Sequence, residues 1–252
     1  LHFSCGGGLV GSTRYSRHLA LPEVGEDGQA QLALARAFIV GLGGLGCPAV
    51  QYLAASGVGC LVLNDFDRID ESNLARQILY RAEDVGKLKV EVARDRLLVL
   101  NPSVAIECVP QRLSPEALEA HIAQASVVLD GTDSFATRLA VNEACVKMGV
   151  PLVSGAAVRL EGQLAVFTNK GKGPCYRCIY GDEDEWLGNC EGSGVLSPVT
   201  GVVGALMAVE TLKLLMGIES GLKNQLLLWD AAIGRWREIG LRSKSDCPLC
   251  QA

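Results

Sequence analysis

The chain has 252 residues, 49% of them hydrophobic, enough to build one large domain or two small ones around a sizeable core. Its formal charge of -5, with Lys and Arg scattered along the sequence, leaves no footprint for a polyanion, so nucleic acid is not an expected partner. The N-terminus lacks a basic region followed by an apolar one, so no secretory signal is expected, and the ten cysteines then point to a reducing, cytoplasmic setting in which thiols serve metals or chemistry instead of disulfides.

In chain order, residues 1–13 read as an atypical tail around "CGGGLVG", which a tag or an altered start would account for, and residues 14–252 read as a single domain. Arg36–Val40 is a short buried-strand run, followed by the glycines of "VGLGGLGCP" and a helical pattern over Cys47–Ala55. A second strand, Cys60–Leu63, runs into "NDFD", which places Asp65 about twenty residues beyond the glycines. A helix over Lys87–Leu100, a strand over Val104–Val109, a helix over Pro115–Gln124 and a strand over Val127–Asp130 continue the alternation. That alternation predicts a Rossmann-like, doubly wound, mostly parallel α/β sheet. After Pro151, "PLVSGAAVRLEGQLAVFT" and "QLLLWDAAIGRWREIGL" each hold two apolar runs with no room for a helix between them, so antiparallel strands should extend the sheet. Ser197–Ile218 approaches membrane-spanning length, but Glu210 and Lys213 interrupt it and a buried helix is the better reading.

Three constellations carry chemistry. Gly41, Gly43, Gly44 and Gly46 form a strand-to-helix turn where backbone N–H groups can approach a phosphate, and Asp65 can accept from ribose hydroxyls. Asn73, Arg76, Lys87 and Lys89 follow, and Asp130 and Asp133 end the predicted central strand. Cations there suit a triphosphate, and Asp133 suits Mg²⁺. Cys175 with Cys178, and Cys247 with Cys250, are two CxxC pairs that suit a closed tetrahedral Zn²⁺ site clipping the C-terminus onto the middle of the chain. Cys190 stands alone in the Gly-rich "LGNCEGSG" and is a candidate nucleophile, whereas Cys47, Cys60, Cys108 and Cys145 sit in apolar runs and read as core.

The ordered set "RYSRH", "GLGGLG", "DFD", "SNLARQ", "GKLKVE", "GTDSFATR", "SGAA", "CYRC", "NCEGSGVLSP" and "CPLC", from about Arg14 to the C-terminus, resembles the MoeB/ThiF family of bacterial ubiquitin-activating-type adenylyltransferases. The resemblance implies ATP-dependent adenylation of the C-terminal Gly-Gly carboxylate of a ubiquitin-like sulfur carrier protein. It implies that Gly44 contacts the nucleotide, Asp65 the ribose, Asn73, Arg76 and Lys89 the phosphates, and that Asp133 serves Mg²⁺. It further implies a homodimer in which Arg17 reaches the partner subunit's phosphates, a fixed place for Arg138, and a sulfur-transfer role for Cys190. "SGAAVRLEGQLAVFT" is closer to the MoeB type than to ThiF, which favours molybdopterin biosynthesis, while thiamine, cysteine and siderophore-type thiocarboxylate pathways use the same machinery. Ser134 departs from the family's Asn, which would weaken a nucleotide or strand contact, and no rhodanese-type domain follows Cys250, so a sulfur donor is expected to be a separate protein. Competing readings are adenylation of a peptide C-terminus, a non-catalytic scaffold, and an NAD-dependent oxidoreductase. The last leaves Arg76, Lys89, Asp133 and the CxxC pairs without a task.

Overall fold

The computed structural model describes residues 13–169, 173–181 and 194–250. One eight-stranded sheet organises them, in the order β3-β2-β1-β4-β5-β6-β7-β8. Its strands are β1 (Arg36–Val40), β2 (Cys60–Asn64), β3 (Ala105–Val109), β4 (Val127–Asp130), β5 (Leu152–Val158), β6 (Glu161–Phe167), β7 (Gln225–Asp230) and β8 (Arg235–Gly240). Strands β1 to β5 pair in parallel and β5 to β8 antiparallel, as the paired runs after Pro151 predict.

The parallel strands read as unbroken apolar runs because both faces are covered. Ala37 and Ile39 of β1 pack into one core with Leu61 and Leu63 of β2. Phe38 and Val40 face the other way, with Cys60 and Val62. The period of two is thus kept, with apolar residues at both phases.

The helices are α1 (Ser16–Leu19), α2 (Gly25–Leu34), α3 (Gly46–Ala55), α4 (Lys89–Leu100), α5 (Pro115–Ile122), α6 (Phe135–Met148), α7 (Tyr176–Ile179) and α8 (Ser197–Leu215). The start of α4 falls two residues later than expected, because Leu88 is extended (ψ 133°) and acts as its N-cap. Helix α8 is long and apolar enough by length and composition to cross a membrane, yet Val203, Met207 and Ala208 lie in the core with Leu53 of α3 and Leu164 of β6. Its Glu210 carboxylate accepts from Lys213 at 2.8 Å. Cys47, Cys60 and Cys145 are buried and Cys108 half-buried, in keeping with a packing role.

Candidate functional site

The site lies at the carboxyl ends of β1, β2 and β4, where the strand order reverses and open α/β sheets take ligands. Gly41 leaves β1 with φ +90°, and a Cβ there would meet the backbone of Gly131 at 3.1 Å, so the loop after β4 is drawn against the glycine turn. A Cβ on Gly46 would lie 2.1 Å from the Gly41 carbonyl oxygen, so only glycine lets α3 start directly on that turn. Gly44 faces Thr200 in the first turn of α8, and Gly43 faces Gln77. The four predicted glycines therefore gather at the α3 N-terminus, the positive end of a ten-residue helix. Gly46→Ala is expected to destabilise the fold by about 3 kcal/mol or more and to lower the melting temperature by about 6–12 °C, whereas Gly43→Ala should cost little. Equal melts for the two variants would contradict the packing described.

Asp65 is placed as a rigid acceptor. Its Oδ2 accepts from Leu42 N–H at 2.7 Å and its Oδ1 from Asp67 N–H at 2.8 Å. Burial raises its pKa, while Lys89 and the two N–H donors oppose that shift. Lys89, first residue of α4 and 5% exposed, donates from Nζ to Asp67 at 2.8 Å. Lys87 instead points to Asp84 at 3.0 Å, outside this cluster. Asn73 and Arg76 occupy a tight turn capped by Asp70, with Arg76 Nη1 donating to the Ser72 carbonyl at 3.1 Å. Burial pushes the Cys47 thiol, behind the glycine turn, up to about 12, so it is no nucleophile at neutral pH.

The loop after β4 divides its two acids. Asp130 is fully buried and accepts from Thr132 and from Ser154 Oγ, which makes it a brace. Asp133 is exposed. Ser134 is the N-cap of α6, its Oγ accepting from Thr137 N–H at 3.3 Å, a task that Asn performs equally well. Arg138 is buried; it donates to the Thr132 carbonyl and hydrogen-bonds Tyr176.

Arg17 does not join this group. Tyr15, two residues before it, receives a hydrogen bond from Asn101 at 2.9 Å, and Asn101 also binds the carbonyl of Ala54 near the far end of α3. The length of α3, about 15 Å, separates exposed Arg17 from the glycines. Cys190 lies outside the described residues.

The two CxxC pairs do meet. The four sulfurs of Cys175, Cys178, Cys247 and Cys250 lie within 4.8 Å of one another, with Cys175 to Cys247 at 3.8 Å and Cys178 to Cys250 at 3.4 Å. A tetrahedral zinc with Zn–S of about 2.3 Å requires sulfur separations of about 3.8 Å, so the donor set and its spacing suit zinc with no position left open. Burial pushes the Cys175 thiol up, whereas at Cys247 burial is outweighed by hydrogen bonds from the Cys250 and Leu249 backbone that pull the thiol down, so the four sulfurs are electrostatically unlike before any cation binds.

Sequence reasoning missed Asp67, Gln77, Thr200 and Asn142. Asp67 ends the quoted "DFD" and Gln77 follows Arg76 directly, so both were within reach of the motifs. Gln77 is 3% exposed and its Oε1 has no partner. Thr200 and Asn142 carry no local signal, since only the tertiary fold brings them to the glycines and to the cysteines.

Comparison with known proteins agrees with this arrangement. The model of the ThiF family matches residues 15–249. The Escherichia coli (strain K12) sulfur carrier protein ThiS adenylyltransferase is 46% identical over 237 residues, 94% of this chain and 94% of that protein. The Sus scrofa adenylyltransferase and sulfurtransferase MOCS3 is 48% identical over 94% of this chain, which spans 52% of that relative's length. Relatives of both names thus match almost equally well, and the expected lean toward the MoeB type gains nothing from them. Among solved structures, E. coli MccB with ATP superposes with a TM-score of 0.83 at 25% identity, covering 97% of this chain and 75% of that one. With nearly the whole chain matched by the family model and the glycine turn, its acid partner and the CxxC pairs assembled as described, this chain belongs to the ThiF family.

Proposed function

We propose that this chain is an adenylyltransferase that activates the C-terminal Gly-Gly carboxylate of a ubiquitin-like sulfur carrier protein with ATP, preparing it for thiocarboxylate formation. The observation that carries the reading is the 46% identity, over 94% of both chains, to a protein named as a sulfur carrier protein adenylyltransferase. The carrier carboxylate is already ionised at neutral pH and needs no general base. No described histidine is near the site: His18 pairs with Gln29, and His121 stacks on Phe38.

The reaction forms a bond from a carboxylate oxygen to the α-phosphorus and breaks the bond from that phosphorus to the pyrophosphate oxygen. The N–H groups of Gly43, Gly44 and Gly46 would line the phosphates, while Gly41, whose N–H donates to the Asn64 carbonyl at 2.9 Å, would shape the turn, and Asp65 would take the ribose hydroxyls. Asn73, Arg76 and Lys89 would spread their positive or donor groups over the oxygens on which charge develops. Lys89 is held for this by Asp67. Asp133 would hold Mg²⁺, which supplies further charge neutralisation at the phosphates. The four cysteines would hold a structural Zn²⁺, and Cys190 would serve later sulfur transfer in a reducing cytoplasm.

As the family resemblance implies, each Arg17 would complete the other subunit's site in a homodimer. Arg17→Ala and Lys89→Ala should each be inactive. Mixing them should restore about a quarter of wild-type activity, since half of the randomly assorted dimers carry one intact site. No recovery in a verified mixed dimer would exclude the trans role.

The experiment that tests the function is pyrophosphate release from Mg-ATP with a panel of Gly-Gly-ended carriers and their tail-deleted forms. Release that depends on one intact tail supports the reading and names the pathway, molybdopterin or thiamine. A second reading, adenylation of a peptide C-terminus, is favoured by the likeness to MccB with MccA-N7isoASN, at a TM-score of 0.83 and 26% identity. It predicts release with a peptide and none with any carrier.

A further inference from the structure

One group beside the four cysteines has no task in the account above. Asn142, on α6, is 0% exposed. Its Oδ1 accepts the N–H of Tyr176 at 2.8 Å, the residue after Cys175. Its Nδ2 is also shut away from solvent and has no hydrogen-bond partner of good geometry. The Oδ1 bond to Tyr176 seats the amide beside Cys175, whose sulfur is the acceptor that the side chain meets. A buried donor without an acceptor carries its full desolvation penalty. A neutral thiol is a weak acceptor, whereas a metal-bound thiolate is a charged one, and outer hydrogen bonds to metal ligands fix their direction and strength.

We propose that Asn142 is the positioning residue of the four-cysteine site, its Nδ2–H donating to Cys175 Sγ in the zinc-bound state while its Oδ1 holds the backbone of Tyr176. The proposal rests on the zinc reading given above. It also joins two parts of the molecule. Arg138 lies one helical turn before Asn142 and hydrogen-bonds the same Tyr176 and the Thr132 carbonyl.

The test is nuclear magnetic resonance of the ¹¹³Cd-substituted, ¹⁵N-labelled full chain, together with zinc affinity by chelator competition. In the wild-type protein the Asn142 side-chain amide proton should show a through-hydrogen-bond coupling to ¹¹³Cd. Asn142→Asp keeps the acceptor for Tyr176 and turns an oxygen toward the sulfur; it should weaken zinc binding about 10- to 100-fold. Leu32→Met, a change in the core cluster on the other face of the sheet from Tyr176, should leave zinc affinity unchanged. Cadmium bound by four sulfurs with no amide coupling would overturn the role of Asn142 while the metal site stood, whether or not the Asp variant folds. Zinc affinity in Asn142→Asp within about twofold of wild type would do the same. Failure of the wild-type protein to bind either ion would overturn the zinc reading and this inference with it.

Discussion

Asp133→Ala is expected to cut carrier-dependent pyrophosphate release about 100- to 1,000-fold, a loss of about 3–4 kcal/mol of transition-state stabilisation. Asp133 is exposed beside the α6 N-terminus, and the packing of its loop falls instead to Asp130, Ser134 and Arg138. The melting temperature should therefore stay within about 1 °C of wild type, because surface changes away from such braces cost little. Cys190→Ala should leave adenylation intact and impair only the later sulfur transfer. Full adenylation by the Asp133 variant, or loss of adenylation in the cysteine variant, would refute the separation of roles.

The second large effect is on stability. Cys178→Ser removes one of four ligands from a site that joins residues distant in sequence, since Cys178 faces Cys250 at 3.4 Å and its sulfur also accepts the Lys244 N–H. About 3–5 kcal/mol should be lost, equivalent to a fall of about 6–20 °C in melting temperature for a chain of this size. Exhaustive chelation of the wild-type protein should reproduce the fall and zinc should reverse it. A melt that ignores both chelator and substitution would show that the cluster holds no structural metal.

Burial on both faces made the parallel strands legible. Runs such as Cys60–Leu63 are apolar at every position, and glycines or acids follow them at the site's edge. Helix α6 escaped notice because its buried face mixes Phe135, Val141 and Cys145 with Arg138 and Asn142, which blurs the apolar stripe that marks a packed helix. Helix α2 is blurred in the same way, with Gly28 and Gln29 buried on its packing side.

The candidate site shows the same division. The CxxC spacings announced the metal cluster and the two pairs that form it, yet nothing in the sequence told that an amide on α6 would back Cys175. The two lysines of "GKLK" are alike on paper. Structure separates them, because Lys89 is seated on the first turn of α4 against Asp67 and Lys87 precedes the helix and pairs with Asp84.

The central claim is attack by a carrier carboxylate on the α-phosphorus of ATP, and the fate of one oxygen tests it most directly. A carrier labelled with ¹⁸O in its terminal carboxylate would be incubated with the protein, Mg-ATP and hydroxylamine, which takes the acyl group from the adenylate, and the released AMP analysed by mass spectrometry. One ¹⁸O atom in AMP, dependent on an intact Gly-Gly tail, is the predicted result, since cleavage of the acyl-adenylate at its carbonyl leaves the bridging oxygen on phosphorus. Label in inorganic phosphate, or unlabelled AMP formed at the same rate without the tail, would contradict it.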